Sequence, residues 1–164
     1  MLEIIQSKIY QLDDLIKVVN SWRLKDDRIV FTNGCFDLIH LGHIHYLAQA
    51  TELGNKLIIG LNSDKSVSKL KGPHRPVKDQ LSRATIMASF SFIHAVVLFE
   101  EDTPLNLIQK LKPDVLVKGG DYKQEEIVGY KEVKEYGGDV KILGFLEGYS
   151  STLLEKKIIE AYKN

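Results

Sequence analysis

Two histidines three residues apart, His40 and His43, stand at the start of a segment with helical patterning. Residues at that spacing share one helix face, with Cβ atoms about 5–6 Å apart. Imidazoles placed this way can each donate a hydrogen bond to oxygens of one polyphosphate, and the helix start beneath them adds free N–H groups and partial positive charge. Gly42 between them carries no side chain to hold a ligand off, and Gly34 lets the preceding turn aim backbone amides at a phosphate. The same residues admit other uses. Cys35, His40, His43 and His45 together suggest a metal site, but His45 lies about 200° around the helix from His43 and a lone cysteine makes a poor structural zinc set. Plain surface histidines are the other reading. Cys35 itself reads as a small buried hydrophobe rather than a nucleophile.

Further polar residues follow downstream. The stretch from Lys65 to Lys78 holds Lys65, Lys69, Lys71, Arg75 and Lys78. It reads either as a solvated loop or as the cationic partner of one polyphosphate, with Lys69 and Lys71 able to neutralise its charge. In Lys118-Gly119-Gly120-Asp121-Tyr122 the glycines permit positive φ and close ligand approach. Lys118 can hold an anion there, and Asp121 can accept from hydroxyls. Without a ligand the same run is simply a tight loop. Ser150, Ser151 and Thr152 open the last helical segment; such residues cap helices and can equally bind phosphate. Asp37 is the acid best placed near phosphates or sugar.

Alternating apolar strands and helices must position these residues. Arg28–Thr32, Lys56–Leu61, Ala95–Phe99, Asp114–Lys118 and Val140–Leu143 read as strands. Between and around them, Ile9–Leu24, Leu41–Leu53, Asp79–Phe90, Pro104–Leu111, Glu126–Tyr136 and Ser151–Tyr162 read as helices. Continuous apolar strands alternating with helices imply a parallel sheet covered on both faces, hence an α/β, Rossmann-like doubly wound five-stranded fold. In such folds ligands sit beyond the carboxyl ends of the strands, where the polar segments above fall. Neither common phosphate fingerprint, G-x-G-x-x-G or G-x-x-x-x-G-K-[ST], is present. The 164 residues fit one domain, residues 1–164, with 1–25 as a helical extension packed on it. With 22 basic and 22 acidic residues, the chain lacks the basic excess expected of a protein bound to long nucleic acid. No apolar stretch is long enough to span a bilayer and no secretory leader is evident. A single cysteine suits a reducing compartment, so a cytoplasmic protein is expected.

The stretches TNGCFDLIHLGH (32–43), LNSDKSV (61–67), LKG with RPV (70–77), FEEDTP (99–104), PDVLVKGGDY (113–122) and LEGYSST (146–152) resemble the HxGH nucleotidyltransferase superfamily, in its cytidylyltransferase-like branch. Within it they are most similar to the adenylyltransferase domains of ADP-heptose synthesis. The likeness runs from about Ile9 to Tyr162. It implies transfer of AMP from ATP to a sugar 1-phosphate, D-glycero-D-manno-heptose 1-phosphate, with Mg²⁺ carried mainly by the nucleotide phosphates and direct protein ligands of the metal unknown. It also implies a homodimer, with the sugar kinase and phosphatase of the pathway as separate proteins, and no nucleic-acid or membrane partner. Carried over by position, His40, His43, Lys71 and Lys69 are catalytic. Thr32, Asn33, Gly34, Cys35, Phe36, Gly42, Arg83, Gly119, Tyr149, Ser150, Ser151 and Thr152 bind nucleotide. Asp37, Lys118, Gly120 and Asp121 bind the acceptor.

Two positions depart from the pattern: His74 stands where a small residue is expected and His94 where an acid is expected. Gly144-Phe145-Leu146 lacks the arginine of alcohol-phosphate cytidylyltransferases, which favours the heptose subgroup. The competing functions are a cytidylyltransferase acting on glycerol 3-phosphate, the same chemistry with ATP and a flavin phosphate, and a nucleotide sensor without turnover.

Overall fold

In a computed structural model the described residues are 1–163. Six parallel strands, β1 (Ile9–Tyr10), β2 (Ile29–Gly34), β3 (Lys56–Asn62), β4 (Ala95–Phe99), β5 (Val115–Gly119) and β6 (Asp139–Leu143), form one sheet in the order β1-β4-β3-β2-β5-β6. The apolar runs make this inevitable: Ile29, Val30 and Phe31 are all fully buried, so β2 must be covered on both faces. Side chains alternate between those faces. Ile29 and Phe31 join a core with Leu15, Ile58, Leu107 and Leu116, while Val30 joins a second core with Leu47, Ile59, Met87 and Val117.

The helices are α1 (Leu2–Gln6), α2 (Leu12–Arg23), α3 (Leu41–Thr51), α4 (Asp64–Lys71), α5 (Gln80–Ser89), α6 (Leu105–Leu111), α7 (Tyr130–Glu135) and α8 (Ser151–Ala161). Three are started by side chains that cap them. The oxygens of Ser63, Asp79 and Ser150 accept from the backbone N–H of Ser66, Ser82 and Leu153.

The sheet has six strands rather than the expected five. The extra strand, Ile9–Tyr10, falls where helical spacing placed the start of a helix, which instead begins at Leu12. Two residues are too few to show a period of two, and what makes them a strand is non-local. Their register against Val96 and Val97 completes the edge of the sheet. Residues 2–23 are thus woven into the fold and not laid on it as a helical extension. The basic run after β3 is also not a loop, since its first half is α4. The segment expected as a helix over Glu126–Tyr136 is shorter, a 3₁₀ turn at Gln124–Glu126 followed by α7.

The chain winds outward from β2 in one direction through β3 to β4, then returns to place β5 on the other side of β2. Strand order therefore reverses between β2 and β5, and their carboxyl ends, Gly34 and Gly119, flank the crevice in which a doubly wound fold binds ligands.

Candidate active site

The turn from β2 into α3 carries the histidines. Phe36 within it holds φ of 46°, a conformation that a bulky side chain rarely adopts. The strain is fixed by packing: a Cβ on Gly34 would meet the Phe36 ring at 2.9 Å, and that ring lies 5.6 Å from the imidazole of His43. His40 is the residue from which α3 starts, and the His40 and His43 rings lie 3.9 Å apart. Room for this pairing comes from Gly42, where an added Cβ would sit 3.0 Å from Nδ1 of His40 and 3.2 Å from Cβ of Tyr149.

The backbone N–H of His40 donates to Nδ1 of His43 at 3.4 Å. An accepting Nδ1 places the proton of the neutral ring on Nε2, which makes that atom a donor. Burial, then the neighbouring His40 and Lys71, push the His43 pKa down to about 4. Burial lowers His40 as well. Both rings are therefore neutral at pH 7 and able to donate to an oxyanion without carrying charge into the free site. Nδ1 of His40 is buried and has no hydrogen-bond partner among the described residues.

Three adjoining cavities open around this pair. One, of about 230 Å³, is lined by His40, Gly42, His43, Tyr149, Ser150 and Ser151, so α3 and the start of α8 face each other across it. The second, of about 350 Å³, shares His43 and Ser151 with the first and adds Asn33, Phe36, Lys71 and Lys118. The third, also about 350 Å³, shares Asn33, Gly34, Cys35 and Lys118 with the second and extends to Asn62 and Asp102. Together they form a trough along the carboxyl ends of β2, β3 and β5.

Charge along the trough is cationic at its centre. Burial depresses the Lys118 ammonium below its ordinary range, with nearby Cys35 opposing the shift, and among the described residues no carboxylate acts on it. Lys71, at the end of α4, is exposed and reaches the same cavity as His43. An ammonium without a paired carboxylate beside two neutral imidazoles has the donor chemistry that suits a phosphate.

Several expected ligand contacts are instead structural. Both carboxylate oxygens of Asp37 are taken: they accept from the guanidinium of Arg75 at 2.7 Å and from the backbone N–H groups of Val77 at 2.8 Å and Lys78 at 2.9 Å. Burial raises its pKa, but these donors outweigh it and hold the carboxyl below the usual range. Asp37 thus anchors the loop after α4 and does not offer itself to an acceptor. Arg83 is fully buried, donating to the carbonyls of Lys78 and Cys35 and to Asp64, so it clamps the site from behind. Thr32 is buried with its hydroxyl 2.5 Å from that of Tyr46. Lys69 is exposed, paired with Asp102, and lines neither of the histidines' cavities. The place of a Cβ on Gly119 is filled by the Phe145 ring, 2.8 Å away, and Gly120 holds φ of 118° and donates to the Leu143 carbonyl. Asp121 and Thr152 are exposed and line none of the three cavities.

Residues that the sequence reading left out of its catalytic, nucleotide and acceptor sets also build the site. Tyr46 lies one turn beyond His43, and its hydroxyl, raised to about 12 by burial, joins Thr32 to the Val117 carbonyl. Its spacing from His43 was the available signal. Arg75 joins Asp37 to Glu155 on α8, a link that no local pattern announces. Tyr122 and Phe145 line the trough through loops whose course the sequence leaves open.

Comparison with known proteins bears on what this trough does. The cytidylyltransferase-like family model matches residues 31–157, a span that runs from β2 through most of α8. This chain belongs to the cytidylyltransferase-like family. Among curated members, it is 51% identical over 156 residues to the bifunctional protein HldE of Trichlorobacter lovleyi, covering 95% of this chain and 32% of that protein. It is 50% identical over 156 residues to HldE of Geobacter metallireducens, again covering 95% and 32%. The chain spans about a third of the length of these curated relatives. A solved lipopolysaccharide core biosynthesis protein from Thermoplasma volcanium is 27% identical with a TM-score of 0.61, over 76% of this chain and 99% of that one. Pantoate-beta-alanine ligase from Francisella tularensis, solved with an ATP analogue and beta-alanine, shares the fold at 16% identity and a TM-score of 0.62, over 93% of this chain and 77% of the other. Among the described residues no helix is long and apolar enough to cross a membrane.

Proposed function

We propose that this cytidylyltransferase-like chain is an adenylyltransferase. In this reading it transfers AMP from ATP to a sugar 1-phosphate, D-glycero-D-manno-heptose 1-phosphate, and releases pyrophosphate. The observation that carries the reading is the closely packed, neutral His40–His43 pair at the start of α3, facing a trough whose central wall holds Lys71 and Lys118. An oxygen of the acceptor phosphate attacks the α-phosphorus of ATP, the bond from that phosphorus to the bridging oxygen breaks, and pyrophosphate leaves with the bonding pair. The attacking phosphate is already anionic, so no general base is needed, and rate comes from positioning and charge stabilisation. His43 donates through Nε2 to the phosphates around the reacting centre, Lys71 neutralises the departing pyrophosphate, and Lys118 holds the acceptor phosphate. Ser150 and Ser151 present the N-terminus of α8 to phosphate oxygens.

Mg²⁺ supplies charge neutralisation on the polyphosphate. No group of three or more His, Cys, Asp or Glu side chains able to hold a metal occurs among the described residues, so in this reading the ion arrives as Mg-ATP. The substrates are water-soluble phosphates, and we place the reaction in the cytoplasm with a homodimeric enzyme, which sedimentation tests directly.

The test is pyrophosphate release with Mg²⁺, heptose 1-phosphate and each of ATP, CTP, GTP and UTP in parallel. Release with ATP alone is expected. A preference for CTP would keep the reaction and move the chain to another subgroup. Nucleotide binding with no release from any sugar 1-phosphate would sink the adenylyltransferase reading in favour of a sensor.

A further inference from the structure

We propose that Glu155 is a positioning residue for the nucleotide: clasped by Arg75, it fixes the seat of α8 so that Ser151 meets phosphate oxygens beside His43. The assignment rests on the nucleotidyl-transfer reading above, in which the start of α8 binds phosphate.

The sequence of α8 leaves little else to seat it. Of its residues only Ser151, Leu154 and Glu155 are partly shielded from solvent, and the rest are exposed. These three lie at i, i+3 and i+4, one stripe along a single face. Leu154 is the only apolar side chain in that stripe. The Ser151 hydroxyl reaches the Leu38 carbonyl at 3.5 Å, the far limit of a hydrogen bond. Glu155 stands one turn beyond Ser151, so whatever holds its carboxylate sets the rotation and height of the helix at the phosphate end.

Arg75 holds it from a fixed point. Its side chain is 11% exposed; Nε donates to the completely buried carboxylate of Asp37 at 2.7 Å, and Nη1 pairs with Glu155. Asp37 belongs to the turn that carries the histidines. The backbone of Arg75 is tied in turn to the segment of Lys71. Its N–H donates to the Gly72 carbonyl at 3.1 Å, and its carbonyl accepts from the Ser68 hydroxyl at 2.5 Å. Asp37, Lys71 and Ser151 all line the cavity of His43, and the three segments that carry them converge on this one guanidinium. The fork is divided between two carboxylates, and Nη2, buried, has no partner among the described residues. Without Glu155, Nη1 loses its partner as well, and nothing on Arg75 spans the gap to α8.

Charge alone argues the other way. A carboxylate one turn from a phosphate site repels the ligand, so neutralising it would tighten binding. Loss of the seat weakens binding, and the sign of the change separates the two effects.

The test is calorimetry with Mg²⁺ and a non-hydrolysable ATP analogue on Glu155→Ala, Glu155→Gln and, as a charge control at the exposed far end of α8, Glu160→Gln. Steady-state kinetics runs alongside. Glu155→Ala is expected to lower affinity for the analogue about tenfold, as for a site competent in about a tenth of molecules. Glu155→Gln should lower it less, because its amide oxygen still accepts from Arg75, and Glu160→Gln should leave it unchanged. KM for ATP should rise by the same factors while KM for the acceptor holds. The melting temperature should change little, since no residue of α8 is buried. Analogue affinity unchanged or higher in both Glu155 variants would overturn the clasp and leave the reaction standing. So would equal rises in both KM values with a fall in melting temperature, the mark of general loosening. A wild-type protein that binds the analogue but transfers AMP to no sugar 1-phosphate would overturn the transfer reading, while the calorimetry still decides the clasp.

Discussion

At the scale of residues, His43 and Asp37 make opposite predictions. In the proposed reaction His43 donates where charge develops, so His43→Ala should lower kcat about 100- to 1000-fold in a protein that still folds, as for the loss of one preorganised oxyanion donor. Single-turnover kinetics with a circular-dichroism check measures this, and unchanged turnover would end the proposed role. Asp37 holds the loop, and its side chain is completely buried. Asp37→Ala leaves the Arg75 guanidinium without its buried partner and should cost roughly 3–5 kcal/mol in urea unfolding. The pH dependence follows from the depressed His43. The unfolded ring titrates near 6.5 and the folded ring near 4, so between those values the unfolded state binds the extra proton. Stability contributed by His43 is complete above pH 6.5 and is lost as pH falls toward 4. His43→Gln should flatten that part of the Tm–pH curve, and an unaltered curve would contradict the buried, neutral ring. The histidines, Lys71, Lys118 and Ser151 were legible because their types and spacing match phosphate chemistry. Asp37, Thr32 and Arg83 are polar residues in the same segments, and sequence cannot show that their polar atoms are spent on the protein's own backbone and side chains.

At the scale of elements, α3 works because its second residue is glycine. Gly42→Ala would push a methyl to within 3.0 Å of the His40 ring and 3.2 Å of Tyr149. Ring and loop can yield, so the helix should survive, but the imidazoles shift by a fraction of an ångström. A misplacement of that kind near a reacting centre can cost up to about 100-fold in rate. Kinetics beside a melting curve separates this from unfolding, and wild-type kcat would show that the pairing geometry is not needed. The strands were readable because burial on both faces writes continuous apolar runs. The course of α4 was not, because Asp64–Lys71 carries only Val67 and Leu70 as large apolar residues. Its stability comes from the Ser63 cap and from Asn62 and Gln80 around its start.

At the scale of the whole molecule, parallel topology follows from the alternation of element types, whereas the sixth strand depends on a contact between Ile9 and Val96, 87 positions apart in the chain. The ion pair from Arg75 to Glu155 ties the loop after α4 to α8, and it has a thermodynamic corollary. No residue of α8 is buried. Its attachments to the body include that ion pair and the bond from Ser151 to the Leu38 carbonyl at 3.5 Å. An element so lightly held opens by local fluctuation, at far lower free energy than the sheet. Its backbone amides should therefore exchange with deuterium ahead of those of α3 and α5, which each bury one face. Phosphate bound at its N-terminus closes that opening in proportion to ligand affinity. The exchange rate of α8 amides then reports nucleotide occupancy at the far end of the chain, with no turnover required.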